Sequence, residues 1–446
     1  MSKPLRTSAP SAVSASPKRL IEVDLPIREI SAHARRDQNI RKGHLHTMHV
    51  WWATRPLASC RAVLMATMLP DPADAACPEA FRRQARQILK PFTGKDLSDP
   101  LALRRALLDF IADFADWDNG VNAVYLDAAR RLVSAAHPDG PPLVLDPFAG
   151  AGSIPFEALR VGAQAFAGDL NPVAVLLNKV ALEYLPKYRQ RLAEGVEKWG
   201  KWVLAEARKR LGKFYPADKK GNIPLAYIWA RTITCEGPGC GAEVPLLGML
   251  WLSRKKKNMA ALRYRGHTRT KAITVEVFQP KSERDLQGPI VHRFSATCPV
   301  CGYTTPYKSV REQLRRRRGG TRDVANDADR RTFDRAAKEL QRLQAQHKDN
   351  LSLVPDEPTP ECRGPGASRA FSLQRYGIQT WADLYLPRQA LALATFCALV
   401  REAHQHIAAE ENDPAFATAV ATCLGLAVSN MSAFLNGLAV WSYDHL

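Results

Sequence analysis

The chain has 446 residues and a formal net charge of +19, with 63 Lys and Arg against 44 Asp and Glu. That length suits two to three domains with ample core, and the basic excess points to a polyanion, most simply nucleic acid, with affinity that falls as salt rises. No run of about twenty apolar residues is expected to span a membrane, and nine cysteines in a chain expected to be cytoplasmic argue for metal or free thiols rather than disulfides.

In chain order, residues 1–18 read as a disordered tail, rich in Ser, Pro and Ala and without the apolar centre of a signal peptide. Residues 19–195 form the first expected domain. Its early part holds His44, His46 and His49, then Trp51-Trp52, then Arg55-Pro56-Leu57 ahead of an apolar helix. With no Cys, Asp or Glu interleaved, the histidines are expected to cap a helix or line a lid rather than bind metal. One tryptophan is expected to pack as core and the other to wall a ligand pocket.

Residues 143–172 are the most informative stretch. An apolar strand (143–145) ends in Asp146, a loop carries Gly150 and Gly152, a helix is expected over 155–161, and a second strand (165–167) ends near Asp169, 23 positions after Asp146. Ser153 is expected to cap the helix, with Pro155 tolerated in its first turn. The glycines let backbone approach a ligand closely, and the second acid can accept from ribose hydroxyls, so a small molecule with a nucleoside at one end is expected here. A dinucleotide is disfavoured. Pro155 stands where the third glycine would pack, and Asp146 would repel a diphosphate while welcoming an amino group.

Residues 196–310 read as an insertion pinned by metal. Cys235 and Cys240, and Cys298 and Cys301, each make a turn able to present two thiolates, with Gly239, Gly241 and Gly302 supplying positive-φ backbone. Two such turns make a closed tetrahedral Cys₄ site, the pattern of structural zinc. Strand-like stretches at 244–252 and 273–278 make this an expanded zinc ribbon. Cys60, Cys77, Cys362, Cys397 and Cys423 have no partner spacing and read as core or surface thiols. Two basic runs flank the module: Arg254, Lys255, Lys256 and Lys257, then Arg311 with Arg315, Arg316, Arg317, Arg318 and Arg322. Such clusters suit phosphate contacts that position a protein on duplex DNA, the expected partner, the alternative being a solvated charged face.

Residues 311–370 are expected as a basic helix and linker, with a polar spacer helix over 325–348 and a Pro- and Gly-rich stretch over 351–368. Residues 371–446 regain apolar patterning, with amphipathic helices over 387–404 and 414–438 that should dock on the first domain.

The run Asp146-Pro147-Phe148-Ala149-Gly150-Ala151-Gly152-Ser153 resembles the first motif of S-adenosylmethionine (SAM)-dependent amino-methyltransferases. Arg55-Pro56-Leu57 resembles the element that precedes that motif. With the cysteine-bearing insert and Trp381-Ala382-Asp383-Leu384-Tyr385-Leu386-Pro387-Arg388-Gln389, the chain after about residue 18 is similar to the DUF1156 family of large adenine-specific DNA methylases with a zinc ribbon. The resemblance implies an α/β, Rossmann-like methyltransferase core, incomplete in this chain, with an inserted β-rich zinc ribbon and C-terminal helices. It implies that Asp146 faces the methionine end of SAM, with Pro147, Phe148, Gly150, Gly152 and Ser153 around it and Arg55-Pro56 covering it. Asp169 would take the ribose hydroxyls, and Leu170-Asn171-Pro172 would lie beside the adenine.

Enzymes of this class hold a flipped base with an Asp/Asn/Ser-Pro-Pro-aromatic loop. No such tetrapeptide is present: Pro141-Pro142 precedes the first strand, and Asn171-Pro172-Val173 lacks the second proline and the aromatic. The resemblance places that loop beyond the insert, so the chain is expected to be the N-terminal portion of a methylase, with further polypeptide carrying the catalytic loop. Three functions remain open from sequence: a DNA adenine N6-methyltransferase, in phage defence or restriction; a non-catalytic SAM- and nucleic-acid-binding half; or an RNA methyltransferase.

Overall fold

The computed structural model describes residues 16–40, 43, 47–51, 53–217, 221, 227–255, 257–316, 327–361 and 372–439. The first 15 residues of the expected tail, His44, His46, Trp52, Lys256, Arg317, Arg318, Arg322 and Cys362 lie outside the described residues. The architecture is mixed α/β, in two units: Met1–Val196 with Asp413–Ala427, and Glu197–Asn412 with Val428–Leu446.

In the first unit, α1 (Ile27–Asn39), α2 (Leu57–Met68), α3 (Glu79–Leu89), α4 (Pro100–Ala115), α5 (Trp117–Gly120) and α6 (Ala123–Ala136) precede the first strand. Helix α2 is its axis. Nine of its 12 residues are buried, as befits a helix that is apolar on all sides. Its cap residue, Pro56, has no side chain to offer, and Asp37 of α1 supplies the acceptor instead, taking the Ala58 N–H at 2.9 Å. Around α2 the core gathers Met65, Leu69, Phe81, Leu89, Leu103, Leu107, Phe114 and Leu132, all at most 2% exposed.

Strand β1 (Leu143–Asp146), helix α7 (Ser153–Arg160) and strand β2 (Gln164–Ala167) follow. The strands form a parallel two-stranded sheet in the register Leu143↔Gln164 to Asp146↔Ala167. Val144 and Ala165 pack against the helical core. The opposite face is bare: Leu143, Leu145 and Phe166 are 65%, 64% and 58% exposed. Parallel strands with one face in water are unusual, because crossover helices normally cover both.

Helix α7 corrects two expectations. It starts at Ser153 rather than Pro155, and its cap is Gly152 in the left-handed conformation (φ +82°). Ser153 therefore sits inside the helix, and its Oγ caps nothing; it is buried without a hydrogen-bond partner. The chain continues through α8 (Pro172–Asn178), a wide helical turn (Lys179–Tyr184), α9 (Leu185–Tyr188) and α10 (Gln190–Leu211).

In the second unit, β3 (Thr232–Thr234) pairs antiparallel with β4 (Glu243–Pro245), and β5 (Trp251–Ser253), β6 (Ala260–Gly266) and β7 (Ile273–Phe278) form an antiparallel sheet. The single strand expected over 244–252 is thus two, broken after Pro245, whereas the strand over 273–278 is found as expected. Strands β8 (Val291–His292), β9 (Ser295–Thr297) and β10 (Thr304–Thr305) make a third small sheet in the order β10-β9-β8. Helix α11 (Tyr307–Arg316) packs on β3, where the Gln313 side chain completes the strand edge by accepting from Thr234 N (2.8 Å) and donating to Thr234 O (3.0 Å).

Helix α12 (Asp327–Gln346) was expected to be a spacer. Instead it buries Ala336 and Leu340 and packs along α13 (Pro387–Glu411). The last helix is α14 (Pro414–Ser432), whose first turns lie in the first unit, where Phe416 and Val420 close on Gly195 of α10. This helix also corrects the membrane reading, since it is long and apolar enough, at 19 residues, to cross a bilayer by length and composition. Its Phe416, Ala417, Ala419 and Val420 are at most 2% exposed, buried in protein like those of a core helix.

Candidate functional site

Because β1 and β2 are parallel and in register, their carboxyl ends lie side by side, the place where open α/β sheets bind ligands. The loops leaving them are laced together. Gly168 N–H donates to Asp146 O, Ala149 N–H to Gly168 O (both 2.9 Å), and Gly150 N–H to Asp169 Oδ2 (2.8 Å). Asp169 Oδ1 accepts from Asn171 N–H at 2.8 Å, and Asn171 in turn caps α8 by accepting from Val173 N–H at 2.9 Å. Each carboxylate oxygen of Asp169 thus spends one lone pair on the loops and has another to offer.

The two loop glycines are required by what surrounds them. Gly150 (φ +52°) has Trp51 Nε1 2.7 Å from where a Cβ would stand, and Gly152 has Asn178 Oδ1 at 2.6 Å. Asn178 of α8 also holds the loop from beneath, donating through Nδ2 to Gly150 O (3.0 Å) and Ala174 O (2.8 Å). Sequence reasoning missed Asn178, since nothing local marks a residue that acts only once α8 folds back. Asn178 Oδ1 and Ser153 Oγ are buried and unpartnered. Phe148 (86% exposed) and Leu170 (99%) flank the loops as bare apolar side chains, and Asp146 Oδ1 accepts from Phe148 N–H at 3.2 Å.

The upstream segment reaches the same place. Pro56 caps α2, Arg55 is exposed and Asp146 half-buried, and the Cys60 thiol of α2 is pushed up to about 12, chiefly by burial. The structure therefore brings Trp51, Asp146, Pro147, Phe148, Gly150, Gly152, Ser153, Asp169 and Asn171 to one end of the β1–β2 sheet, with Arg55 and Pro56 leading into α2. His49 turns to its neighbour's backbone, with Nδ1 2.9 Å from Val50 O.

The second constellation is the cysteine cluster. The Sγ atoms of Cys235, Cys240, Cys298 and Cys301 all lie within 4.8 Å of one another, with Cys235–Cys301 at 3.5 Å and Cys240–Cys298 at 3.9 Å. A disulfide would need about 2.05 Å. A tetrahedron with metal–sulfur arms of about 2.3 Å sets its sulfurs about 3.8 Å apart, which the cluster matches. Both turns have positive-φ glycines, Gly239 (+66°), Gly241 (+67°) and Gly302 (+77°). Burial pushes the Cys235 thiol up to about 12, while the Tyr303 backbone N–H draws exposed Cys301 down to about 7. Four sulfurs so placed could hold one metal ion, and no position is left open for a substrate. Among the other cysteines, Cys60 and Cys77 are buried, Cys397 is exposed and Cys423 is half-buried.

The basic runs are spread over the second unit. Arg254 lies over the Trp251 ring at 5.4 Å, and Lys255 and Lys257 are exposed. Arg315 is exposed, and Arg316 pairs with Glu312 at 2.6 Å, one turn away on α11.

What the fold and sites define is a mixed α/β protein with a glycine-loop βαβ unit and a four-cysteine cluster compatible with structural zinc. Residues 24–90, which include α1, α2 and α3, match the family described as Protein of unknown function (DUF1156). No curated protein and no solved structure matched the chain.

Proposed function

We propose that the first unit is the SAM-binding part of a Rossmann-like amino-methyltransferase that modifies adenine N6 in DNA. The observation that carries this reading is the Asp169 carboxylate, tied to the Gly150 amide at 2.8 Å at the carboxyl ends of two parallel strands. A ribose hydroxyl pair fits the lone pairs that remain, and the bare Phe148 and Leu170 side chains suit the faces of an adenine. Asp146 suits an ammonium group, and Gly150 and Gly152 keep the loop low enough for close approach. SAM, when bound, would supply the methyl group. The chain's own residues bind and orient it, and Trp51 with Arg55-Pro56 shields its edge. Turnover further needs an amine-accepting Pro-Pro-aromatic loop, which these residues do not contain.

The cysteine cluster is read as a zinc ribbon that stiffens a module for DNA contact, given the net charge of +19 and the exposed cations of the second unit. Calorimetric titration with SAM tests the cofactor assignment. The folded chain should bind it, and Asp169→Asn, which keeps one acceptor oxygen for the loops, should weaken binding about ten-fold through loss of a charge-assisted hydrogen bond. Unchanged affinity in that variant would overturn the site.

A further inference from the structure

The hairpin joining β8 to β9 carries a residue pair that its backbone disfavours. His292 pairs with Ser295, leaving a two-residue turn of Arg293 and Phe294, both at positive φ (+46° and +67°). Such turns favour Asn-Gly, because a side chain at positive φ crowds its own carbonyl, and a bulky residue there is an outlier. Backbone strain of this kind persists only where the surrounding structure fixes it, and it clusters at functional sites.

Phe294 does not serve the core, being 70% exposed. Its ring lies 5.4 Å from that of Tyr307, tilted by 49°, and the Tyr307 hydroxyl meets that of Tyr376 at 3.4 Å. Arg311 sits over the Tyr307 ring at 5.4 Å. Arg293, Lys308 and Arg375, each next in sequence to Phe294, Tyr307 or Tyr376, are exposed. Among the described residues none of these four cations pairs with a carboxylate. Glu236 is engaged by Ser309 and Gln313, and Glu312 by Arg316. On α11, Lys308, Arg311 and Arg315 are spaced by three and four, so they share a face and carry positive charge about 10 Å along the helix from the hairpin.

We propose that Phe294 and Tyr307 form a stacking platform for an unpaired base of a DNA strand, whose phosphates follow Lys308, Arg311 and Arg315. An aromatic face bared to water beside uncompensated cations is the combination that single-stranded nucleic acid recognises, since every base offers a π-face and every link a negative charge. A protein partner would find less to bury, because the rings are ringed by unpaired charge. This inference rests on the nucleic-acid reading of the second unit and adds to it the kind of strand bound and the residues that hold it.

The test is fluorescence anisotropy of the full zinc-loaded chain with a labelled single-stranded DNA, the same sequence as a duplex, and its RNA counterpart, each at low and physiological salt. The wild type should prefer the DNA single strand. Phe294→Gly should weaken that complex about five-fold or more with an unchanged salt slope, while raising the thermal midpoint by relieving the turn. Phe294→Trp should retain binding. Tight single-strand binding by Phe294→Gly would overturn the platform and leave the nucleic-acid reading standing. Failure of the wild type to bind any of the three would overturn both. A preference for RNA over DNA would overturn the choice of strand.

Discussion

Arg61 and Glu157 form an ion pair sealed from solvent, with Arg61 Nε 3.0 Å from Glu157 Oε2 and side-chain exposures of 1% and 0%. Arg61 belongs to α2, inside the segment that matches DUF1156, and Glu157 to α7, the helix that follows the glycine loop. The same guanidinium donates to the carbonyls of Phe114 and Asp116 and lies over the Phe114 ring, while Glu157 also accepts from Arg160 at 2.6 Å. The pair thus fixes the helix carrying the loop against the helix whose start faces it. Gly120 packs directly on the guanidinium, with no room for a Cβ.

Arg61→Met should therefore be strongly destabilising, by about 3 kcal/mol or more, because it strands a buried carboxylate and two carbonyls. Glu157 keeps Arg160, which sets the loss toward the lower end. Denaturant midpoints for Arg61→Met, Glu157→Gln and the double variant would show it, and a double variant no worse than Arg61→Met alone would locate the cost in the stranded charge.

Gly152→Ala tests the loop. Alanine at φ +82° costs about 1–2 kcal/mol, and its Cβ would press on Asn178 Oδ1, 2.6 Å away. Asn178 must then give up its hold on Gly150, so affinity for the proposed ligand SAM should fall more steeply than stability. Calorimetric titration beside thermal melting separates the two, and an equal loss in both would reduce the loop to a structural role.

The local motifs were legible in the sequence: the strand–glycine loop–strand order, the two cysteine turns, the 273–278 strand and the last two helices. What was not legible came from tertiary packing. Ser153 reads as a cap, but Gly152 takes that position because only a left-handed residue turns the chain into α7 there. The polar composition of α12 hides a stripe of Thr332, Ala336 and Leu340 that packs inward. Asn178, Arg61 and Glu157 carry no local signal for these roles, since the contacts that define them, Asn178 to Gly150 and Arg61 to Glu157, span 28 and 96 positions.

Asp71 offers a pH test. Burial alone would raise its carboxyl, but Arg104, at 2.7 Å and 2.5 Å on the two oxygens, and the Ala73 N–H hold it below the usual range. A carboxyl so lowered contributes stability that is full above the ordinary value of about 3.9 and disappears as pH falls through the folded value. Arg104→Ala should cost about 2 kcal/mol or more at neutral pH, and the gap from wild type should be narrower at about pH 3. Urea midpoints at the two pH values check this; a gap that stays constant would mean that Arg104 acts by packing alone.

The cysteine cluster should hold one zinc per chain, measured by metal analysis. Chelation, or Cys298→Ser, should melt the β8–β10 sheet and the turns that frame the cluster, since closed Cys₄ sites supply folding energy outright. The β1–β2 unit shares none of these ligands, so the proposed SAM binding should be unaffected in the zinc-free chain. Loss of both together would show that metal and cofactor sites fold as one.

The bare face of the β1–β2 sheet makes the last prediction. Leu143, Leu145 and Phe166 line an open apolar groove with Leu159, and all four are at least 37% exposed. Exposed side chains contribute little to stability, so Leu145→Lys should change the denaturant midpoint by no more than about 0.5 kcal/mol. The same change breaks an apolar patch beside strand edges that pair with no other strand among the described residues, the arrangement most prone to edge-to-edge association. Light scattering of the purified chain against concentration should therefore show less self-association in the variant. A large stability loss instead would mean that this face is already packed in solution, and that β1 and β2 are not the edge of the sheet.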